Sequence, residues 1–129
     1  MPAFHDSATS IAPPEEVWKL LYDPSRFPDW WAGIGTVEVE NDGEYTMYPD
    51  GYPNFPMAQL LETQRGQQRV TVSCLVSDLR FEWRLEPNGE GTRITVYVEI
   101  PETEAHRLDT QREIITSSMK RLAELAAVA

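Results

Sequence analysis

The sequence contains few residues whose spacing could form a catalytic or metal-binding set. Its two histidines, His5 and His106, stand near opposite ends of the chain, and Cys74 is its single cysteine. None of them belongs to a His-x-x-x-His or Cys-x-x-Cys pattern, and the motifs of nucleophile elbows, phosphate-binding loops and dinucleotide-binding turns are missing. We therefore expect no metal and no cofactor. Cys74 lies in a valine-rich strand pattern and is interpreted as a buried structural thiol.

Two charged residues at apolar-face positions are the candidates for chemistry. Arg112 stands four residues after Leu108 and three before Ile115, on the stripe of a predicted helix that should face the core. Because a buried guanidinium needs a partner, Arg112 could bind an anionic oxygen of a ligand or stabilise one that forms during a reaction. Asp6, in phase with Phe4, could act as a general base or pair with Arg112. In the alternative interpretation Arg112 reaches solvent and Asp6 is an exposed acid on an edge strand.

The elements that must position these residues follow from the apolar periodicity. Residues 3–11 are predicted to form a strand, and Pro13-Pro14 closes it. A helix then begins at Pro14, where the missing N–H is tolerated, and ends at Asp23-Pro24. The segment from Pro24 to Trp31 is too rich in proline for more than one or two helical turns, so it predicts a bent connection lined with aromatic residues.

From residue 37 to residue 100 the apolar residues alternate with polar ones, which is typical of antiparallel strands with one buried face. The clearest case is the strand that contains Phe81 and Trp83, and the turn signal Pro87-Asn-Gly-Glu-Gly91 predicts a hairpin with the strand that follows. The other alternating pairs and runs are Val37 and Val39, Tyr45 and Met47, and Val70, Val72, Cys74 and Val76.

A long helix is predicted over residues 104–127, because the apolar residues there return to helical spacing. At about 1.5 Å per residue it could cross a sheet of this size. Its apolar stripe consists of Leu108, Ile115, Met119, Leu122 and Ala126. The order of elements is therefore strand, two short helical pieces, about six antiparallel strands and one long helix, an α+β layout.

The segment from Met47 to Met57 joins two predicted strands and contains three prolines and three aromatic residues. It is too apolar for simple solvent exposure, so it could form a gate over a binding site. The aromatic residues at that mouth would be Tyr48, Tyr52 and Phe55 together with Phe27, Trp30 and Trp31. Alternatively, the loop plugs the end of the core or forms a patch for self-association, which leaves a homodimer open.

Composition limits the class of protein. The chain has 129 residues and a formal charge of −10, which predicts a single domain over residues 1–129 and disfavours nucleic-acid binding. No stretch has the roughly 18 apolar residues of a membrane span, and the N-terminus has no basic, apolar leader pattern. We expect a cytoplasmic protein without membrane insertion.

The element order resembles the START-like, or SRPBCC, superfamily of helix-grip proteins, which includes polyketide cyclases and dehydrases and lipid-transport proteins. The residues that carry this resemblance are Ala12-Pro-Pro-Glu-Glu-Val-Trp18, Leu20-Leu-Tyr-Asp-Pro24, Phe27-Pro-Asp-Trp30 and Gly91-Thr-Arg-Ile-Thr-Val96. The resemblance implies a curved antiparallel sheet of about six or seven strands around the long C-terminal helix, with two short helices after the first strand and an apolar cavity between sheet and helix.

The function implied by the resemblance is binding or carriage of a small hydrophobic or aromatic molecule, lipid-like or polyketide-like. One alternative is a polyketide cyclase or dehydratase that uses Arg112 and Asp6; another is a protein-interaction module like the heat-shock ATPase activators. A core filled by its own aromatic residues would instead leave at most a small pocket. The candidate ligand-binding residues are Trp30, Tyr45, Met47, Phe55, Phe81, Trp83, Arg112, Ile115 and Met119.

Overall fold

Seven strands form one antiparallel sheet in the computed structural model of the chain, which describes residues 2–128. The sheet is curved and unclosed, and its spatial order is β1-β7-β6-β5-β4-β3-β2. The strands are β1 (Ala3–Ser10), β2 (Ile34–Asn41), β3 (Glu44–Pro49), β4 (Met57–Gln64), β5 (Arg69–Cys74), β6 (Arg80–Asn88) and β7 (Gly91–Glu99). The predicted helix-grip architecture is confirmed, with β1 and β2 at the two edges.

Three α-helices accompany the sheet: α1 (Pro14–Leu21), α2 (Phe27–Trp30) and α3 (Leu108–Val128). Short 3-10 turns lie at Pro24–Arg26, Arg65–Gln67 and Glu102–Arg107. Helix α1 has Pro14 in its first turn and buries one face, Val17, Trp18, Leu20 and Leu21, as its apolar spacing predicts. None of the helices in the described residues is long and apolar enough to cross a membrane.

The long helix begins later than its sequence pattern predicts. Glu102–Arg107 is a 3-10 segment, and Glu104 within it has a φ of −114°, outside the helical range. The α-helical hydrogen-bond pattern begins only at Leu108. The predicted stripe is otherwise confirmed, since Ile115, Met119, Leu122 and Ala126 are buried and Leu108 is half-buried.

Strand β5 also ends earlier than predicted. The strand stops at Cys74, and Val76 is exposed. A tight turn causes this end: the Cys74 N–H donates to the Leu79 carbonyl at 2.8 Å, and the Asp78 N–H donates to the Cys74 carbonyl at 2.8 Å. Asp78 completes the turn in the left-handed region, with φ of 61°.

The β6–β7 hairpin forms as predicted and shows how the two faces of the sheet differ. Phe81 pairs with Val98 and Trp83 pairs with Val96, and all four side chains are buried. The outer face carries ion pairs instead. Arg80–Glu99 at 3.0 Å and Arg69–Glu82 at 3.3 Å join neighbouring strands, and Arg84–Glu82 at 3.4 Å lies within β6.

Phe27, Trp30 and Trp83, which we call the aromatic core, fill the space between α2 and the sheet. The rings of Trp30 and Trp83 meet edge-to-face at 5.2 Å, and those of Phe27 and Trp30 at 5.5 Å. Trp30 also donates its indole N–H to the Leu20 carbonyl at 3.0 Å, which ties α2 to α1. All three aromatic side chains are fully buried, so this part of the interior is closely packed.

Candidate functional site

A cavity of about 190 Å³ lies beside the aromatic core, between the sheet and the beginning of α3. Four strands supply one wall, the chain between α2 and β2 supplies a second, and the 3-10 segment with α3 supplies a third. Its lining residues are Trp31, Ala32, Gly33, Ile34, Tyr45, Met47, Pro49, Met57, Gln59, Val72, Cys74, Ser77, Leu79, Phe81, Arg107, Gln111 and Ile114.

The strand wall is built by cross-strand neighbours whose side chains share the inner face. Tyr45 pairs with Gln59, which pairs in turn with Cys74, so these three residues form a row across β3, β4 and β5. Met47 pairs with Met57, and Val72 pairs with Phe81. The wall is therefore mainly apolar, with one polar row.

That polar row is internally connected. The Gln59 side-chain amide donates to Cys74 Sγ at 3.3 Å and to the Met57 carbonyl at 3.4 Å, although the second contact is long for a hydrogen bond. Burial raises the pKa of the Tyr45 phenol, and the neighbouring Cys74 raises it further. Tyr45 therefore stays protonated at neutral pH.

Trp31 separates the cavity from the aromatic core. Its ring lies 5.3 Å from that of Trp83 on the core side and 5.0 Å from that of Phe81, a cavity residue. The next residue is held firmly, because the Ala32 N–H donates to Ser118 Oγ at 2.8 Å and that hydroxyl donates to the Ile114 carbonyl at 2.6 Å. This link fixes the chain leaving α2 to the side of α3.

Two polar side chains enter the cavity wall from the helical side. Arg107 ends the 3-10 segment, and Gln111 follows four residues later in the first turn of α3. The Arg107 Nε is buried and donates no hydrogen bond within residues 2–128, although Glu104 Oε2 lies 3.4 Å away. Gln111 is half-buried. The cavity thus has a cationic group and an amide on one side.

The structure brings only part of the predicted ligand-binding set to this cavity. Tyr45, Met47 and Phe81 line it. Trp30, Trp83, Ile115 and Met119 are almost completely buried in packed surroundings and do not contribute to its lining. The Phe55 side chain is 58% exposed.

Arg112 does not lie on the buried face of α3 as the spacing predicted. It is exposed, and its guanidinium carbon lies 5.5 Å from the centre of the Phe4 ring on β1. Asp6 is half-buried on the same strand and accepts a hydrogen bond from Thr116 Oγ1 at 2.8 Å. Neither residue lines the cavity, so the structure does not bring the two catalytic candidates together in a pocket.

The predicted aromatic gate is not formed as a set. Tyr52 and Phe55, in the loop between β3 and β4, are largely exposed, and Phe27 and Trp30 are fully buried. Of the gate residues, Trp31 alone lines the cavity; next to the loop, the last residue of β3, Pro49, and the first of β4, Met57, also line it. The sequence shows that this proline-rich loop contains large aromatic side chains, but it does not show which of them face inward.

Several cavity residues carried no signal as site residues in the sequence. Gln59 and Ser77 are ordinary polar residues at strand or turn positions, and Cys74 gave only the signal of a buried thiol. Arg107 precedes the regular helix, and Gln111 lies in its first turn. Gln111 is the exception. It stands four residues before the buried Ile115, and this spacing places both side chains on the same face of the helix.

The comparisons with known proteins agree with this architecture. Residues 1–127 match the family described as polyketide cyclase / dehydrase and lipid transport. The chain belongs to this family. No curated protein matches the sequence.

Solved structures show the same fold at low sequence identity. XoxI from Bacillus cereus superposes with a TM-score of 0.81 at 14% identity, over 97% of this chain and 95% of that one. A protein from Chromobacterium violaceum gives a TM-score of 0.74 at 20% identity, over 98% and 99% of the two chains. The di-domain ARO/CYC protein BexL of the BE-7585A biosynthetic pathway gives 0.79 at 14% identity, over 96% of this chain and 46% of its own.

Proposed function

We propose that this protein binds a small hydrophobic or aromatic molecule in the cavity beside Trp31. The observation that carries the proposal is a partly open cavity of about 190 Å³ beside the closely packed aromatic core, with walls formed by Met47, Met57, Val72 and Phe81. Small-molecule sites are typically concave and mostly apolar, with a few polar groups. A ligand that occupies this cavity would remove apolar wall area from water, which is favourable.

The size and shape of the cavity favour a compact ligand. Drug-sized ligands occupy pockets of roughly 300–1,000 Å³, so this cavity suits a molecule on the scale of two fused aromatic rings. The Trp31 and Phe81 rings supply flat apolar walls. Family membership supports the same proposal, since the family description includes lipid transport.

The two other functions considered from the sequence have weaker support. A cyclase or dehydratase that uses Arg112 and Asp6 requires both groups in one pocket, and neither lines the cavity. A protein-docking role for the outer sheet face requires free side chains there, whereas Arg69, Arg80 and Glu82 are engaged in ion pairs.

A blocking substitution tests the proposal. We expect Val72→Phe to place a ring in the cavity and to weaken binding of 2-naphthamide, a neutral two-ring probe, by more than about tenfold. Isothermal titration calorimetry of purified wild-type and variant protein gives the affinities. Val39→Phe is the matched control, because Val39 is 55% exposed and lies outside the cavity lining; it should leave affinity unchanged. Equal affinities in all three proteins would place the probe elsewhere and contradict the proposal.

A further inference from the structure

The charges around the cavity suggest what kind of molecule it holds, given the proposed function. Among the described residues that line it, Arg107 is the only one with a formal charge at neutral pH, and no aspartate or glutamate is present. The chain as a whole carries −10, so its acids lie elsewhere. A single cation among mainly apolar and uncharged lining residues is complementary to a ligand with one negative group.

The Arg107 guanidinium has unused hydrogen-bonding capacity. A guanidinium has five N–H donors; within residues 2–128 the Arg107 Nε–H is buried and makes no hydrogen bond, while the side chain as a whole is 40% exposed. Glu104 balances part of its charge from 3.4 Å, but Glu104 itself does not line the cavity. The exposed part of the guanidinium is left for other acceptors, and a ligand oxygen in the cavity can accept a charge-assisted hydrogen bond from it.

Gln111 extends the polar side of the cavity. It follows Arg107 by four residues and also lines the cavity, and its amide can donate to a second ligand oxygen. A planar carboxylate has two acceptor oxygens that suit the fork of an arginine side chain. Opposite these groups, the strand wall around Met47 and Phe81 is apolar.

We propose that the cavity selects small aromatic or aliphatic acids. The Arg107 guanidinium and the Gln111 amide hold the ligand carboxylate, while its apolar part lies against Trp31 and the strand wall. This inference rests on the proposed function, because it specifies the chemical class of ligand for the same cavity. Neither residue was assigned a role from the sequence.

The test compares two probes of the same shape and different charge. 2-Naphthoate carries a carboxylate, and 2-naphthamide carries a neutral amide in its place. By isothermal titration calorimetry, the wild-type protein should bind the naphthoate about ten- to a hundredfold more tightly, the range expected for a charge-assisted hydrogen bond. Arg107→Met should remove that preference and leave the affinity for the naphthamide within about twofold.

Arg112→Met is the matched control. It also removes one positive charge from the same helical region, but Arg112 is exposed over Phe4 and outside the cavity. It should leave the preference for naphthoate intact. If both variants lose the preference equally, the general field of the protein is responsible and the assignment to Arg107 is wrong.

Two further measurements cover the remaining outcomes. Raising the salt concentration should weaken wild-type binding of the naphthoate more than that of the naphthamide, and this result does not depend on whether Arg107→Met folds. Equal wild-type affinities for the two probes would overturn the selection of acids and leave the proposed function standing. Failure of both probes to bind would overturn the proposed function as well.

Discussion

The aromatic core and the cavity lie side by side on the same sheet, the first under α2 and the second beside the beginning of α3, yet one is filled and the other is hollow. Phe27, Trp30 and Trp83 pack edge-to-face at 5.2–5.5 Å in the filled part. In the hollow part, the residues that face the same space are smaller or more flexible, such as Cys74, Met47 and Met57. The difference suggests that stability is concentrated in one region, and ligand binding in the other.

Trp31 lies at the boundary between these regions, and its contacts on both sides explain why the cavity is not filled by the neighbouring core. It contacts Trp83 and Phe81 at 5.3 and 5.0 Å, so large rings support it from both directions. The Ala32–Ser118 hydrogen bond fixes the backbone directly after it. A wall held in this way prevents the core from relaxing into the neighbouring space.

The same truncation in the two regions should have very different effects. Met119→Ala removes a 1%-exposed side chain from the packed face of α3 and should lower the free energy of unfolding by about 2–5 kcal/mol. Met57→Ala removes a half-buried side chain that already borders empty space, so we expect a loss below about 1 kcal/mol. Urea denaturation of both variants measures the difference; similar losses would show that the two regions are equally packed.

Enlarging two neighbouring valines tests the contrast in the opposite direction. Val70 is fully buried opposite Trp83, whereas Val72 lies two residues further along β5, opposite Phe81, and lines the cavity. Val70→Phe should cost about 1–3 kcal/mol of stability by overpacking, and Val72→Phe should cost less because its ring enters existing space. Thermal and urea unfolding provide the comparison. A larger loss for Val72→Phe would mean that the cavity cannot accept a ring.

Tyr45 reports on the polarity of the hollow region. Its ring packs on Phe27 at 5.8 Å and also lines the cavity, and burial raises the pKa of its phenol. An unfolded tyrosine ionises at about pH 10, but burial opposes this ionisation in the folded chain. The free energy of unfolding should therefore fall above that pH, by up to about 1.4 kcal/mol per pH unit.

In the Tyr45→Phe variant, the free energy of unfolding should fall less than in the wild type as the pH rises above about 10. Urea denaturation at a series of pH values measures this difference. Tyr52→Phe, at an exposed position, is the control and should follow the wild type. If Tyr45→Phe and the wild type lose stability in parallel above pH ~10, the phenol is hydrated and the cavity is not an apolar environment.

The fold was predictable from the sequence because its signals are periodic and local. The alternation around Phe81 and Trp83 determined the hairpin, and the stripe from Ile115 to Ala126 determined the face of α3. These patterns show which side of an element is buried. They do not show whether the space on that side is filled, because this depends on side chains from several elements meeting in three dimensions.

Arg112 shows where the helical pattern was insufficient. At about 100° per residue, Arg112 lies about 60° to one side of Ile115, and Ser118 lies about 60° to the other. Both stand at the margin of the apolar stripe, but the helix is turned so that Ser118 is buried and Arg112 is exposed. Arg107 was missed for a different reason: it lies in a 3-10 segment, where the α-helical period does not apply.

The unclosed sheet leaves β2 with a neighbour on one side only. Its free edge presents backbone groups that could template the addition of another strand, which is how many proteins begin to aggregate. Two irregularities interrupt the register of β2, between Ile34 and Thr36 and between Val39 and Asn41, and Glu38 and Glu40 are exposed along it. A second copy pairing at this edge would bring like charges together. The register breaks and the two glutamates of β2 therefore act together against uncontrolled self-assembly through this edge.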